Sequence, residues 1–125
     1  MNPLTWNALD VDLEARLSSE AMRIRRLREW WAPDPIPQHV LAGSVVAEAI
    51  IAAYASRQEI ELRNALSVLE EMAASEDPRM TEAAGVSVLE RIRAEPDVCA
   101  GIRDRLGPHS RGLLDEQLRW MRDRG

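Results

Sequence analysis

Two histidines, a single cysteine and several neighbouring carboxylates are the side chains of this chain that could do chemistry. Covalent catalysis needs a nucleophile beside a base, metal binding needs ligands at a set spacing, and phosphate binding needs a glycine-rich loop. His39 and His109 each follow a proline-containing turn at a helix start, and neither has a second His or Cys at ligand spacing. Cys99 stands among Val98, Ala100 and Ile102, the surroundings of a small hydrophobic filler, and a lone cysteine forms no internal disulfide. Gly43 has no glycine neighbours, and Gly101, Gly107 and Gly112 are spread among helix ends, so no dinucleotide or P-loop pattern forms. Glu70 with Glu71, or Glu59 with Glu61, could share acid and base work only if one of them were held in a pocket that displaced its proton affinity. On amphipathic helices they read instead as a solvated face. The expectation is no enzyme, no metal and no cofactor.

Positioning these groups falls to helices. Apolar residues recur at helical spacing almost from end to end, and no alternating stretch bounded by turn signals reads as a strand. This predicts an all-α fold of five to six helices in one domain over 1–125. A first helix, about 10–31, puts Leu13, Leu17, Ile24, Leu27 and Trp31 on one stripe. Pro33, Pro35 and Pro37 then impose an extended corner over 32–38. A helical region follows over 39–122. Its first helix, about His39 to Ser56, is apolar on nearly every side and should sit at the centre of the packing. The next, about Gln58 to Ser75, turns Leu62, Leu66, Leu69 and Met72 inward and leaves Glu59, Arg63, Glu70 and Glu71 to water. Asp77 can cap the following helix, with Pro78 in the first helical position, where its missing N–H costs nothing. That helix runs through Val88, Leu89 and Ile92 to Pro96. A short helix then ends at Gly107-Pro108, and a last one, about His109 to Arg122, offers Leu113, Leu114, Leu118 and Met121 to the core.

With 125 residues, 46% hydrophobic and 30% charged, the chain can bury a core without disulfide or metal and is too apolar to be disordered. The stretch nearest to a membrane span, Val40 to Ala55, is interrupted by Glu48 and short of about 18 residues. The N-terminus has Asp10 and no basic start, which does not read as a signal peptide. A cytoplasmic protein off the membrane is expected. The net charge of −5 argues against nucleic acid, whose phosphates call for a basic face. Every basic side chain is arginine, as a GC-rich genome would give. Between residues 58 and 99 ten acids face four arginines, a net −6, whereas 100–125 carry a net +2.

Ser67-Val68-Leu69-Glu70 recurs as Ser87-Val88-Leu89-Glu90, and each copy leads into an acidic, proline-punctuated turn, Glu76-Asp77-Pro78 or Glu95-Pro96-Asp97. The 20-residue offset is one helix plus one turn, so two such units would make the period of about 40 found in HEAT-type arrays. A chance match between two Ala/Leu/Glu-rich helices is the alternative. Together with Leu69-Glu70-Glu71-Met72, Thr81-Glu82-Ala83 and Leu106-Gly107-Pro108, these segments resemble small bacterial HEAT-like proteins found beside polymorphic toxins, over roughly Leu62 to Arg119. The resemblance implies a short helical array, or a compact bundle burying the same stripes, and an immunity protein that occludes the active site of a cognate toxin. It does not reach the first helix.

An acidic ridge on such an array would meet a basic toxin surface and speed association. The residues expected to form it are Glu70, Glu71, Glu76, Asp77, Glu82, Glu90, Glu95 and Asp97. Acidity kept only for solubility is the plainer reading. Among the tryptophans, Trp31 falls on the apolar stripe, while Trp6 and Trp30 are the expected surface contacts. The rival functions are a general helical interaction or regulatory module, including a homodimeric scaffold, and a small-molecule binder with a pocket inside the bundle.

Overall fold

The computed structural model describes residues 3–124, which form helices and turns with no strand among them; Met1, Asn2 and Gly125 lie outside the described residues. Seven helices follow one another, one more than six: α1 (Leu9–Arg16), α2 (Ala21–Trp31), α3 (Gln38–Ala55), α4 (Glu59–Ala73), α5 (78–93), α6 (Pro96–Ile102) and α7 (Pro108–Arg124). The all-α reading holds.

The additional helix arises because the expected 10–31 helix is broken. Leu17 leaves the helical region at φ −122° and ψ 72°, and Ser18–Glu20 form a 3₁₀ turn. Ser18 and Ser19 sit at the break, where short hydroxyl side chains compete for the backbone. The turn lets α2 fold back on α1, and Leu13, Leu17 and Ile24 all reach the core.

α3 is the central helix, touching α1, α4, α5 and α6, with Leu41, Val45, Val46 and Ile50 buried. Its 18 residues and mean hydropathy of 1.3 make it long and apolar enough, by length and composition, to cross a membrane; here that apolarity lines the core. α4 adds Leu62, Leu66, Leu69 and Met72, as its periodicity predicts, and packs on α3, α5 and α7. α5 begins with Asp77 as cap, accepting from the Arg79 amide at 3.0 Å, and Pro78 at the first position. Both α3 and α5 carry a π-helical stretch, Ala42–Ala47 and Ala83–Leu89, and the two stretches pack against each other.

α6 rests on the ring of Tyr54, so closely that a Cβ at Gly101 would stand 1.9 Å from the tyrosine oxygen. In α7, Leu114 is fully buried and Leu113 and Leu118 are partly so, but Met121 is 47% exposed, contrary to its expected place in the core. Its neighbour there is the Arg93 guanidinium, which lies against the sulfur.

Residues before α1 strap the bundle together. The Leu4 amide donates to Glu71, the Thr5 amide and hydroxyl donate to Asp12, and the Gln38 side-chain amide donates to the Trp6 carbonyl. Trp6 is half-buried, in a T-shaped pair with His39 at 5.6 Å between ring centres and with the Arg79 guanidinium 5.5 Å from its ring centre. It is a packing residue, which corrects its expected role as a surface contact.

Candidate functional site

The eight acids expected to face a partner divide into three groups. Glu70 and Glu71 are used inside the molecule, which corrects the solvated face expected for them. Glu70 accepts from the Ser110 amide (2.9 Å) and hydroxyl (2.7 Å), and from the His109 amide (3.2 Å) and ring nitrogen (2.7 Å). It therefore caps the first turn of α7 from another helix, because Gly107 has no side chain to do so. Burial pushes this carboxyl up, but the Ser110 and His109 donors outweigh it and hold the group below the usual carboxylate range. Glu71 takes both terminal nitrogens of Arg16, which hold it low against the opposing effect of burial, with the Leu4 amide adding to them.

Asp77, Glu90 and Glu95 pair locally with Arg79 (2.8 Å), Arg93 (3.5 Å) and Arg91 (3.2 Å). Hydrogen bonds from the Arg79 side chain depress Asp77. Glu76, Glu82 and Asp97 are exposed, with no hydrogen bond or ion pair among the described residues. Trp30 is 80% exposed, as expected.

Two juxtapositions bear on catalysis. His39 Nδ1 lies 2.8 Å from the Ser87 hydroxyl, a nucleophile and a base within reach. The ring packs against Trp6 in a T-shaped pair, no carboxylate is bonded to it, and neither residue lines any of the principal pockets. Ser110 and His109 meet at Glu70, but the Ser110 hydroxyl donates its hydrogen to that carboxylate and the residue is fully buried. No group of three His, Cys, Asp or Glu able to hold a metal occurs among the described residues. Burial raises the Cys99 thiol against the charges of Arg93 and Arg103, so it is not an activated thiolate. A cavity of about 160 Å³ under the proline corner is lined by Asp10, Arg28, Asp34 and Gln38 among others, and wider, more open depressions of about 380 to 560 Å³ lie elsewhere on the surface.

The polar and apolar features that sequence reasoning separated come together along α5 and α7. A groove of about 380 Å³ runs between them, lined by Glu90, Arg93, Leu113, Glu116, Gln117 and Trp120. Trp120 is 59% exposed beside it, and Val86, one turn before Glu90, is 49% exposed. Glu82 stands a further turn back on the same exposed side of α5, and Glu116 is exposed and unpaired among the described residues. Gln117 donates to the Gly85 carbonyl at 3.0 Å, within the π-helical stretch, while its own carbonyl oxygen is buried without a donor. Arg93 Nε is likewise buried without an acceptor.

Trp120, Glu116 and Gln117 were not among the expected contacts, because their spacing assigns α7 to the core without saying where its cover ends. A signal for the α5 part does exist in the sequence. Ala42-Gly43-Ser44-Val45-Val46-Ala47-Glu48 matches Ala84-Gly85-Val86-Ser87-Val88-Leu89-Glu90 in Ala, Gly, Val and Glu at an offset of 42 residues. This alignment pairs the two π-helical stretches that touch, whereas the 20-residue match pairs Glu70, a helix cap, with Glu90, a surface group.

No curated protein and no solved structure matches this chain. A family model described as "Domain of unknown function (DUF7674)" matches residues 13–121, which takes in α2 to α6 whole, the second half of α1 and most of α7. The chain belongs to that family.

Proposed function

We propose that this domain is a protein-binding module, without catalytic activity of its own, whose partner is a cognate toxin with a basic surface and whose role is immunity. One observation carries the reading. Glu76 before α5, Glu82 on α5 and Asp97 in the first turn of α6 are exposed and left unused by the fold among the described residues, and Val86 of α5 and Trp120 of α7 are exposed large apolar residues. Carboxylates around an apolar centre are the composition of a surface that attracts a cationic partner and then excludes water from the contact. Glu70 and Glu71 are committed to donors within the chain and fix α7 and α1. The test is co-expression with the toxic product of the neighbouring gene: growth should be rescued and a stable complex recovered. A neighbour that is not toxic, or toxicity unchanged by this chain, would remove the immunity reading.

A second reading, a self-associating helical module, draws on α2. Its outer side exposes Met22 (57%) and Trp30 (80%) together with Arg25 and Arg26, while Ile24 is its one fully buried residue. Light scattering over a range of concentrations separates the two: a dimer lost in Trp30→Ala favours this reading, and a monomer at all concentrations removes it.

A further inference from the structure

We infer that the depression on α7 around Gly112 is an anion-binding site, and that it takes inorganic phosphate or a small phosphate monoester through Arg119 and Arg122. The inference is independent of the protein-binding reading and uses none of its residues. A glycine points to the place. Gly112 lies inside α7, where glycine weakens a helix relative to alanine. Gly43, Gly85, Gly101 and Gly107 each have an atom within 3.4 Å of the position a Cβ would take, so packing accounts for them. Gly112 is exposed, and a Cβ there would meet nothing within 4 Å. No neighbour requires it. What its missing side chain does is lay the helix backbone bare in a depression of about 490 Å³.

The surrounding charges set the ligand. Arg103, Arg119 and Arg122 line the depression against one acid, Asp115, a balance of three to one or +2. Asp115 is already engaged: its Oδ1 accepts from two nitrogens of Arg103, at 3.1 and 2.9 Å, and its Oδ2 stands 3.8 Å from Arg111 Nε. Arg119 and Arg122, three residues apart and so on one side of the helix, are exposed and have no hydrogen bond or ion pair among the described residues. The negative end of α7 suits Arg122, in the last turn, but accounts for neither Arg119 nor the glycine. Two free guanidinium forks match the oxygens of a phosphate, and the balance of +2 matches a monoester, whose charge at neutral pH is about −2. A cation would find the one acid of the lining taken. Leu118 is the single apolar side chain there and no aromatic ring accompanies it, which leaves a nucleobase nothing to stack on and selects a small ester over a nucleotide.

The probes are inorganic phosphate, glycerol phosphate and acetate, each titrated against a chloride background at constant ionic strength into the ¹⁵N-labelled full chain. Both phosphates should shift the Gly112 amide and the Arg119 and Arg122 Nε–H signals in a saturable way, and acetate should bind more weakly. Tighter binding of glycerol phosphate would mark an ester as the ligand; equal binding would mark the phosphate group alone. The paired variant Arg119→Gln with Arg122→Gln should weaken phosphate at least about ten-fold, a change of roughly 1.4 kcal/mol. Gly112→Ala separates the site from the fold: it should raise the unfolding temperature, because alanine suits the helix and has room, and yet weaken phosphate. No saturable response, a response centred elsewhere on the chain, acetate bound as tightly as phosphate, or equal affinity in the paired variant would each overturn the inference. So would a Gly112→Ala chain that unfolds at a lower temperature or binds phosphate as the wild type does.

Discussion

The carboxyl group of Glu70 occupies the space that a side chain at position 107 would need: a Cβ on Gly107 would stand 2.5 Å from the Glu70 carboxyl carbon. The last helix is therefore capped by a residue of α4, and the cap, the glycine and the orientation of α7 depend on one another.

Removing either partner of the junction should cost stability. Glu70→Ala leaves the Ser110 amide and hydroxyl without their acceptor, a loss of about 2–3 kcal/mol for charge-assisted bonds to partly buried donors. Gly107→Ala should cost about 1–3 kcal/mol by overpacking against the same carboxyl. Because both changes break one contact, the double variant should lose clearly less than their sum. Urea unfolding of the four proteins measures this, and strictly additive losses would contradict the shared junction.

Acid should act through the same carboxylates. Glu70 and Glu71 both lie below the ordinary glutamate value of 4.5 in the folded chain. The unfolded chain therefore binds more protons as pH falls through that value, so the stability they contribute is present above about pH 4.5 and is lost below it, as pH drops through their folded values. A plot of unfolding free energy against pH should fall on the acid side. Glu71→Gln should be less stable at neutral pH and show a flatter acid limb; an unchanged slope would contradict the Arg16 pairing as its source.

The close approach of α6 to α3 gives a further test. Gly101→Ala places a methyl group within 1.9–2.5 Å of the Tyr54 ring and oxygen, and since whole-ring atoms are involved a rotation of the hydroxyl alone does not relieve it. A destabilisation of about 1–3 kcal/mol is expected. Tyr54→Ala in the same chain should recover part of the loss due to Gly101→Ala, which thermal unfolding of the single and double variants would reveal.

Periodicity identified the helices, the central place of α3 and the cap at Asp77-Pro78, because these depend on residues close together in the chain. It placed Glu70 and Glu71 in water because it could not see their partners, which lie 39 and 40 residues away for the first and 55 and 67 for the second. Leu114 and Met121 lie two turns apart on a stripe that spacing alone cannot divide, yet one is fully buried and the other 47% exposed. A stripe tells which residues share a face; only the fold tells where the neighbouring helix stops covering it. The break at Leu17 was hidden for a related reason, since Leu13, Leu17 and Ile24 fit a continuous helix as well as a bent one.

Substitutions on the acidic edge should separate binding from folding. Glu82→Arg and Glu116→Arg together remove no hydrogen bond or ion pair among the described residues and should leave the unfolding midpoint close to that of the wild type, as exposed unpaired charges contribute little. Circular dichroism during heating checks this. A large loss would mean that these carboxylates hold the fold together.

The most direct test of the proposed function is the affinity of the purified full chain for the toxic product proposed to be encoded beside it, measured by titration calorimetry at low and high salt, beside the same chain with Glu82 and Glu116 changed to Arg. A tight complex is predicted that weakens with salt and loses about 100-fold or more in affinity, roughly 2.7 kcal/mol, in the charge-reversed chain. No binding by the folded wild type, or equal binding by both chains, would contradict it.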